Sequence, residues 1–186
     1  MIRYYLYNLI LHLAAPFAAL YLLCASRYRP LLRRFRPDVP VFDAPPVWIH
    51  ACSVGETHVA RGIIDVLHAQ CPGIPVLLTL NTLSGLALAQ ADVSDAHITL
   101  APFDIVWSVR GFLQRVRPRL LVLVETEMWP GLVHESRRMG VAVAVVNARI
   151  SMAKYDRYRR YKRLMPPLFQ LLEFVGAQNE TYASRF

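Results

Sequence analysis

Three glutamates follow apolar runs in this sequence, where a carboxylate can meet a bound substrate. Glu56 ends the stretch "SVGE", between the apolar run "PPVWIHAC" and the helical pattern "THVARGIIDVLHA". Glu125 and Glu127 lie in "VETEMWP", directly after "LLVLV". A carboxylate held in a cleft can act as a general base, worth a rate factor of about 10² to 10⁴. A structural role competes with that reading. Ser53-x-x-Glu56 fits a capping box, in which Ser53 accepts the N3 backbone N–H and Glu56 reaches back to the N-cap amide. Such a cap contributes about 1 kcal/mol. Pattern alone therefore favours capping, and only position at the end of a strand favours chemistry. Glu125 and Glu127 are costly beside a buried strand unless partnered. The positive end of a helix beginning near Trp129-Pro130 is one available partner. A strand continued through both would point them the same way, and the sequence leaves that open.

The elements that must position these residues alternate regularly. "VWIHAC", "IPVLLTL", "AHITLAP", "RLLVLVE" and "VAVAVVNA" read as buried strands. Between them lie helical patterns: Thr57 to Gln70, "SGLALAQ", "DIVWSVRGFLQRV" begun by Asp104, and "WPGLVHESRRMG" closed by Gly140. Met152 to Leu172 reads as largely helical, broken by Pro166 and Pro167. Uniformly apolar strands are usually covered on both faces, as in parallel sheets. Alternation with helices implies right-handed βαβ units. The expected fold is an α/β, Rossmann-like parallel sheet, with ligands beyond the carboxyl ends of the strands. No G-x-G-x-x-G or Walker A turn is present to cradle a dinucleotide or triphosphate.

Ahead of this domain runs "YYLYNLILHLAAPFAALYLLC", free of formal charge and long enough for a bilayer, which takes ~20 residues. It is followed by Arg27, Arg29, Arg33, Arg34 and Arg36 and preceded by Arg3. The positive-inside rule puts the C-terminal flank in the cytoplasm. Tyr4, Tyr5 and Tyr7 would also suit a helix lying at headgroup depth, and spanning and lying flat both remain open. The chain thus divides into a membrane-anchor helix (1–26), a basic, proline-rich connector (27–46) and a Rossmann-like domain (47–186).

The formal net charge of +8 favours an anionic partner. A second basic cluster, "RISMAKYDRYRRYKR", interleaves Tyr155, Tyr158 and Tyr161 with six cations. Behind a membrane anchor, phosphorylated lipid or an anionic bilayer is a nearer partner for it than nucleic acid, and a solvated helix face is the plain alternative. The three cysteines give no disulfide framework and read as reduced thiols. His50, Cys52 and His58 lack any recognised metal-ligand spacing, so no metal is expected.

Taken in order, "VWIHACSVGE", "PVLLTLNTLSG", "APFD", "RPRLLVLVETEMWP", "VAVAVVNARIS" and "AQNETYASRF" resemble the 3-deoxy-D-manno-octulosonic acid (Kdo) transferases of lipopolysaccharide synthesis. S-V-G-E and E-T-E-x-W-P are the most specific parts. Cys52 and "NTLS" depart mildly from the family pattern. The resemblance implies the N-terminal, acceptor-binding domain of a GT-B glycosyltransferase, with no cofactor. It implies inverting transfer of Kdo from CMP-Kdo to a lipid A precursor at the cytoplasmic face of the inner membrane. Glu56 would be the general base and Glu127, ahead of Glu125, a second important acid. Ser53, Gly55, Glu125 and Arg149 are expected at the substrate. The CMP-Kdo contacts would come mainly from a second domain, expected beyond Phe186 and absent from this sequence. The chain alone would then lack turnover. A non-catalytic lipid-binding fragment and another GT-B enzyme are the alternatives.

Overall fold

The structure, a computed structural model, describes residues 2–125, 127–160 and 165–185. Tyr161, Lys162 and Arg163 of the second basic cluster lie outside the described residues, as does Thr126 of E-T-E.

Six strands build one parallel sheet: β1 (Val47–Ala51), β2 (Val76–Leu80), β3 (His97–Leu100), β4 (Leu120–Val124), β5 (Ala142–Ala148) and β6 (Phe174–Ala177). Their order is β3-β2-β1-β4-β5-β6, and every pairing is parallel. The order reverses direction between β1 and β4, the crevice where such sheets bind ligands. The sixth strand follows a weak pattern, "FVGA", and the sequence reading did not anticipate it. It sits at the sheet edge, where partial exposure weakens the apolar signal.

Successive strand residues point to opposite faces, and each face has its own core. Trp48, Leu121, Leu123, Val143 and Val145 pack under α4 (Val106–Val116) and α5 (Pro130–Arg138), with Val109, Phe112 and Val133 coming from the helices. Val47, Ile49, Leu78, Leu80 and Val122 pack under α2 (Val54–Gln70) and α3 (Leu83–Asp92), with Ala60, Ile64 and Ala89. This double covering explains the apolar strands. β1, β2 and all but the first residue of β4 are buried throughout.

Several boundaries move. Helix α2 starts at Val54 rather than Thr57. Helix α4 starts at Val106 with Ile105 as its N-cap, so Asp104 does not begin it. Asp104 instead caps α5: its Oδ2 accepts the Gly131 N–H at 2.8 Å and its Oδ1 accepts the Leu132 N–H at 2.6 Å. Pro130 at the start of α5 has no N–H to cap, which suits the first helical turn. Gly140 closes α5's exit with φ +80, a conformation that costs glycine nothing. Beyond β5, α6 covers Met152–Arg160 and α7 covers Met165–Phe169, with both prolines in the first turn of α7. A last short helix, α8 (Glu180–Ala183), is capped by Asn179.

The N-terminal apolar segment forms α1 (Ile2–Cys24), with Pro16 inside it. Its Tyr4–Cys24 stretch is long and apolar enough to cross a membrane. A ten-residue 3₁₀ segment, Ser26–Phe35, turns back from its end. Arg34 leaves that segment inward. It donates to the Asn81 side chain at 2.6 Å and to the Ala101 carbonyl at 3.0 Å, and it lies over the Phe103 ring. Arg34 is therefore a structural bolt between connector and sheet, unlike its exposed neighbours Arg33 and Arg36.

Candidate functional site

At the carboxyl end of β1 the chain turns through Cys52 and Ser53 into α2. Ser53 is the N-cap in extended backbone, and its Oγ accepts the Glu56 N–H at 3.5 Å. The return half of the box differs from expectation. Glu56 Oε2 accepts from the Cys52 backbone N–H at 2.7 Å, one residue before the cap, and its Oε1 accepts from Ser53 Oγ at 3.0 Å. One hydrogen bond on each oxygen orients the carboxylate, and a lone pair on each remains unused by these bonds.

The Glu56 carboxyl is held above the ordinary carboxylate range. Burial is the main cause. The nearby Glu127 and Glu125 charges add to it, and the Cys52 N–H and Ser53 bonds oppose it. A raised pKa makes a carboxylate a better proton acceptor near neutral pH. The Cys52 thiol is pushed up to about 11, first by burial, with Glu127 and Glu56 contributing. It stays a thiol at neutral pH, and the thiolate is the nucleophilic form.

Strand β4 ends at Val124, so Glu125 and Glu127 do not share a strand face. Glu125 sits at φ 61, in left-handed backbone, and its N–H bonds the Val146 carbonyl of β5. Its Oε2 accepts from Arg149 at 3.1 Å. Glu127 Oε2 accepts from Trp129 Nε1 at 3.0 Å. The fold therefore gathers Glu56 and Glu127 around Cys52, at the sheet's switch point. It sets the Glu125–Arg149 pair one strand over.

Gly55 lies in the first turn of α2, and a Cβ built on it meets nothing within 4 Å. Nothing in the described fold requires glycine there. Among the described residues no cluster of three or more metal-ligating side chains occurs.

Sequence reasoning missed a buried polar chain beneath the site. Asn81, after β2, links Arg34 to His50, 3.3 Å from its Nε2, and donates weakly to Cys52 Sγ. His50 Nδ1 lies 3.0 Å from Thr79 Oγ1, which also accepts the Trp48 indole N–H at 2.8 Å. Burial first, then the Arg34 charge, pushes His50 down to about 3, so the imidazole is neutral. Alternating positions in β1 and β2 carry this chain, and polar residues inside apolar strands were its only trace in the sequence.

The fold is a doubly wound Rossmann-like domain with acidic residues at its switch point, and the family match makes it the N-terminal domain of a GT-B glycosyltransferase. The chain belongs to the 3-deoxy-D-manno-octulosonic-acid transferase (kdotransferase) family, whose model matches residues 25–186. It is 28% identical to a 3-deoxy-D-manno-octulosonic acid transferase of Haemophilus influenzae, over 87% of this chain and 39% of that protein. A transferase of the same name from Bordetella pertussis is 40% identical over 58% of this chain and 26% of its own length. A bifunctional glycosyltransferase/methyltransferase of Fusobacterium nucleatum is 31% identical over 74% of this chain and 22% of that protein. The chain thus spans well under half the length of these curated relatives.

Proposed function

We propose that this chain is the acceptor side of a Kdo transferase acting in lipopolysaccharide synthesis. The donor is CMP-Kdo and the acceptor a sugar hydroxyl of a lipid A precursor. Glu56 takes the hydroxyl proton as that oxygen bonds to the anomeric carbon of Kdo. The bond from that carbon to the CMP phosphate oxygen breaks, and CMP leaves with the electron pair. Attack opposite the leaving group inverts the anomeric centre. The observation that carries this reading is the Glu56 carboxylate: buried at the switch point, oriented by Cys52 and Ser53, and held above its ordinary pKa.

Glu127 keeps Glu56 basic through its charge, and Trp129 holds Glu127 in place. Ser53 and Gly55 shape the floor of the acceptor site, while Glu125 and Arg149 form its far edge as an ion pair. CMP-Kdo would be held mainly by a second domain facing this one. The apolar surface of α1 and the arginines after it suit association with the cytoplasmic face of the inner membrane.

The test is transfer of labelled Kdo from CMP-Kdo to a lipid A precursor by a two-domain protein carrying residues 1–186. Glu56→Gln keeps an acceptor for the Cys52 N–H but cannot take a proton. It should lower kcat by about 10² to 10⁴ while leaving lipid binding within a few-fold. Near-normal turnover in Glu56→Gln would remove the general base from Glu56. Absence of any Kdo transfer by the parent protein would overturn the substrate assignment.

A further inference from the structure

Helix α1 is 23 residues long, ~34 Å at 1.5 Å per residue. By length it could cross a hydrocarbon core of ~30 Å. Its attachments make that geometry unworkable. Near its N-terminal end, Tyr4 Oη donates to Glu135 at 2.7 Å and the Tyr4 ring stacks on His134 at 4.0 Å. One turn on, Tyr7 Oη donates to Asp104 at 2.7 Å. Glu135 and His134 lie in α5, and Asp104 caps it, so this end is fastened to the α/β domain. The other end is fastened too. After Cys24 the 3₁₀ segment doubles back, Tyr28 stacks on Tyr21, and Arg34 locks into Asn81 and Ala101.

A helix crossing the bilayer has one end on each side. With Cys24 on the domain's side, Tyr4 would be ~30 Å of hydrocarbon away from Glu135. With Cys24 on the far side, the 3₁₀ segment would have to return through the bilayer with Arg27, Arg29, Arg33 and Arg34. An arginine at the bilayer centre is strongly disfavoured, and four of them more so. The covered residues agree with a docked helix. Tyr4, Tyr7, Asn8, Leu11, Ala15, Ala19 and Leu22 recur at steps of one to four residues and are buried or half-buried. The remaining surface exposes Leu6, Leu9, Ile10, Leu13, Phe17 and Leu20. Beside it, Arg27, Arg29, Arg33 and Arg36 are exposed. Apolar surface flanked by cations fits the interface of an anionic leaflet.

We infer that α1 and the 3₁₀ segment form a hairpin that lies in one leaflet of an anionic bilayer, with both ends on the side of the α/β domain. This rests on the membrane association proposed above and chooses, of the spanning and the flat-lying helix, the flat-lying one. The partner is the lipid surface itself. In that pose the arginines meet headgroup phosphates, and Asp104 ties the hairpin to the helix that follows the E-T-E loop.

The test uses the 186-residue chain in bacterial inner membranes, with its three cysteines changed to serine and single reporters added. Tyr5→Cys and Arg29→Cys report the two arms, and a variant retaining Cys71 reports the domain. Sealed inside-out and right-side-out vesicles are treated with an impermeant maleimide. All three sites should label from the same face. In a second variant, Tyr4→Cys with His134→Cys, a short bismaleimide should cross-link the helix to α5 within intact membranes. Labelling of Tyr5→Cys from the face opposite Cys71, or no cross-link, would overturn the hairpin and leave membrane association standing. Recovery in the soluble fraction, as a monomer or with a second copy on the apolar face, would overturn both.

Discussion

The Asp104 carboxylate accepts the Gly131 backbone N–H at 2.8 Å, across 27 residues of sequence. The two approach so closely that a Cβ on Gly131 would lie 2.8 Å from both Asp104 Oδ1 and the Asp104 carbonyl oxygen. Tyr7 of α1 donates to the same carboxylate, and Arg34 contributes a nearby positive charge. One half-buried acid therefore joins α1, the β3–α4 connection and the start of α5, just beyond Glu127 and Trp129.

Gly131→Ala should destabilise the chain by about 1–3 kcal/mol, because the added methyl must push a helix N-terminus off its cap. Denaturation of the detergent-solubilised protein measures this. An unchanged midpoint would mean that Asp104 does not hold α5.

The Asp104 carboxyl is pushed up to about 6 from 3.8, by burial working against its hydrogen bonds to Tyr7, Gly131 and Leu132 and the Arg34 charge. The folded state then binds its proton more tightly than the unfolded state. This contribution to stability is full below about pH 4 and is lost as pH rises through about 6. His50 has the opposite sign. Its folded pKa of about 3 gives stability present above about 6.5 and lost as pH falls. Asp104→Asn removes the first group and keeps the second. The stability difference, wild type minus variant, should fall between pH 4 and 6 and then level off. Denaturation at half-unit pH intervals checks it, and a flat difference would place the Asp104 titration elsewhere.

Gly55→Ala separates fold from function. The Cβ has open space around it, and alanine favours a helix over glycine by about 1 kcal/mol. Stability should hold or rise slightly. If Gly55 admits the acceptor, KM for the lipid in the two-domain enzyme should rise severalfold at unchanged fold stability. Unaltered kinetics would remove Gly55 from the site.

Thr79→Val should cost more than its size suggests. The hydroxyl accepts the Trp48 indole N–H at 2.8 Å and lies 3.0 Å from His50 Nδ1, inside a core that excludes water. Each polar group left without a partner costs about 1–3 kcal/mol. A drop below 1 kcal/mol in chemical denaturation would show that the network relaxes around the loss.

Much of this architecture was legible because its signals are local. Five of the six strands announced themselves as apolar runs bounded by turn residues, and the helices between them by their periodicity. β6 escaped because its four residues, "FVGA", offer a short signal with a glycine in it and no buried position. The Ser53–Glu56 cap was legible because both partners lie within one helical turn. Its variation, with Glu56 reaching to the Cys52 amide, was not, since a one-residue shift leaves the same sequence pattern. The acidic residues after β4 were visible, but their separation was not. Left-handed backbone at Glu125 ends the strand, and sequence alternation cannot register that.

The sequence by itself determined the parallel α/β class, the membrane-like first helix, and the place of three glutamates just after apolar runs, because hydrophobic periodicity and capping act over a few residues. Only the tertiary structure decided which distant groups meet. Asp104 reads as the cap of its own helix and serves another. Arg34 stands among cations that face outward and turns inward to Asn81. Tyr4 and Tyr7 read as interfacial aromatics and fasten α1 to the domain. Each of these depends on the strand order, which sets β3, β2, β1 and β4 in a row, and a polar group in the interior takes whichever partner that order brings within reach.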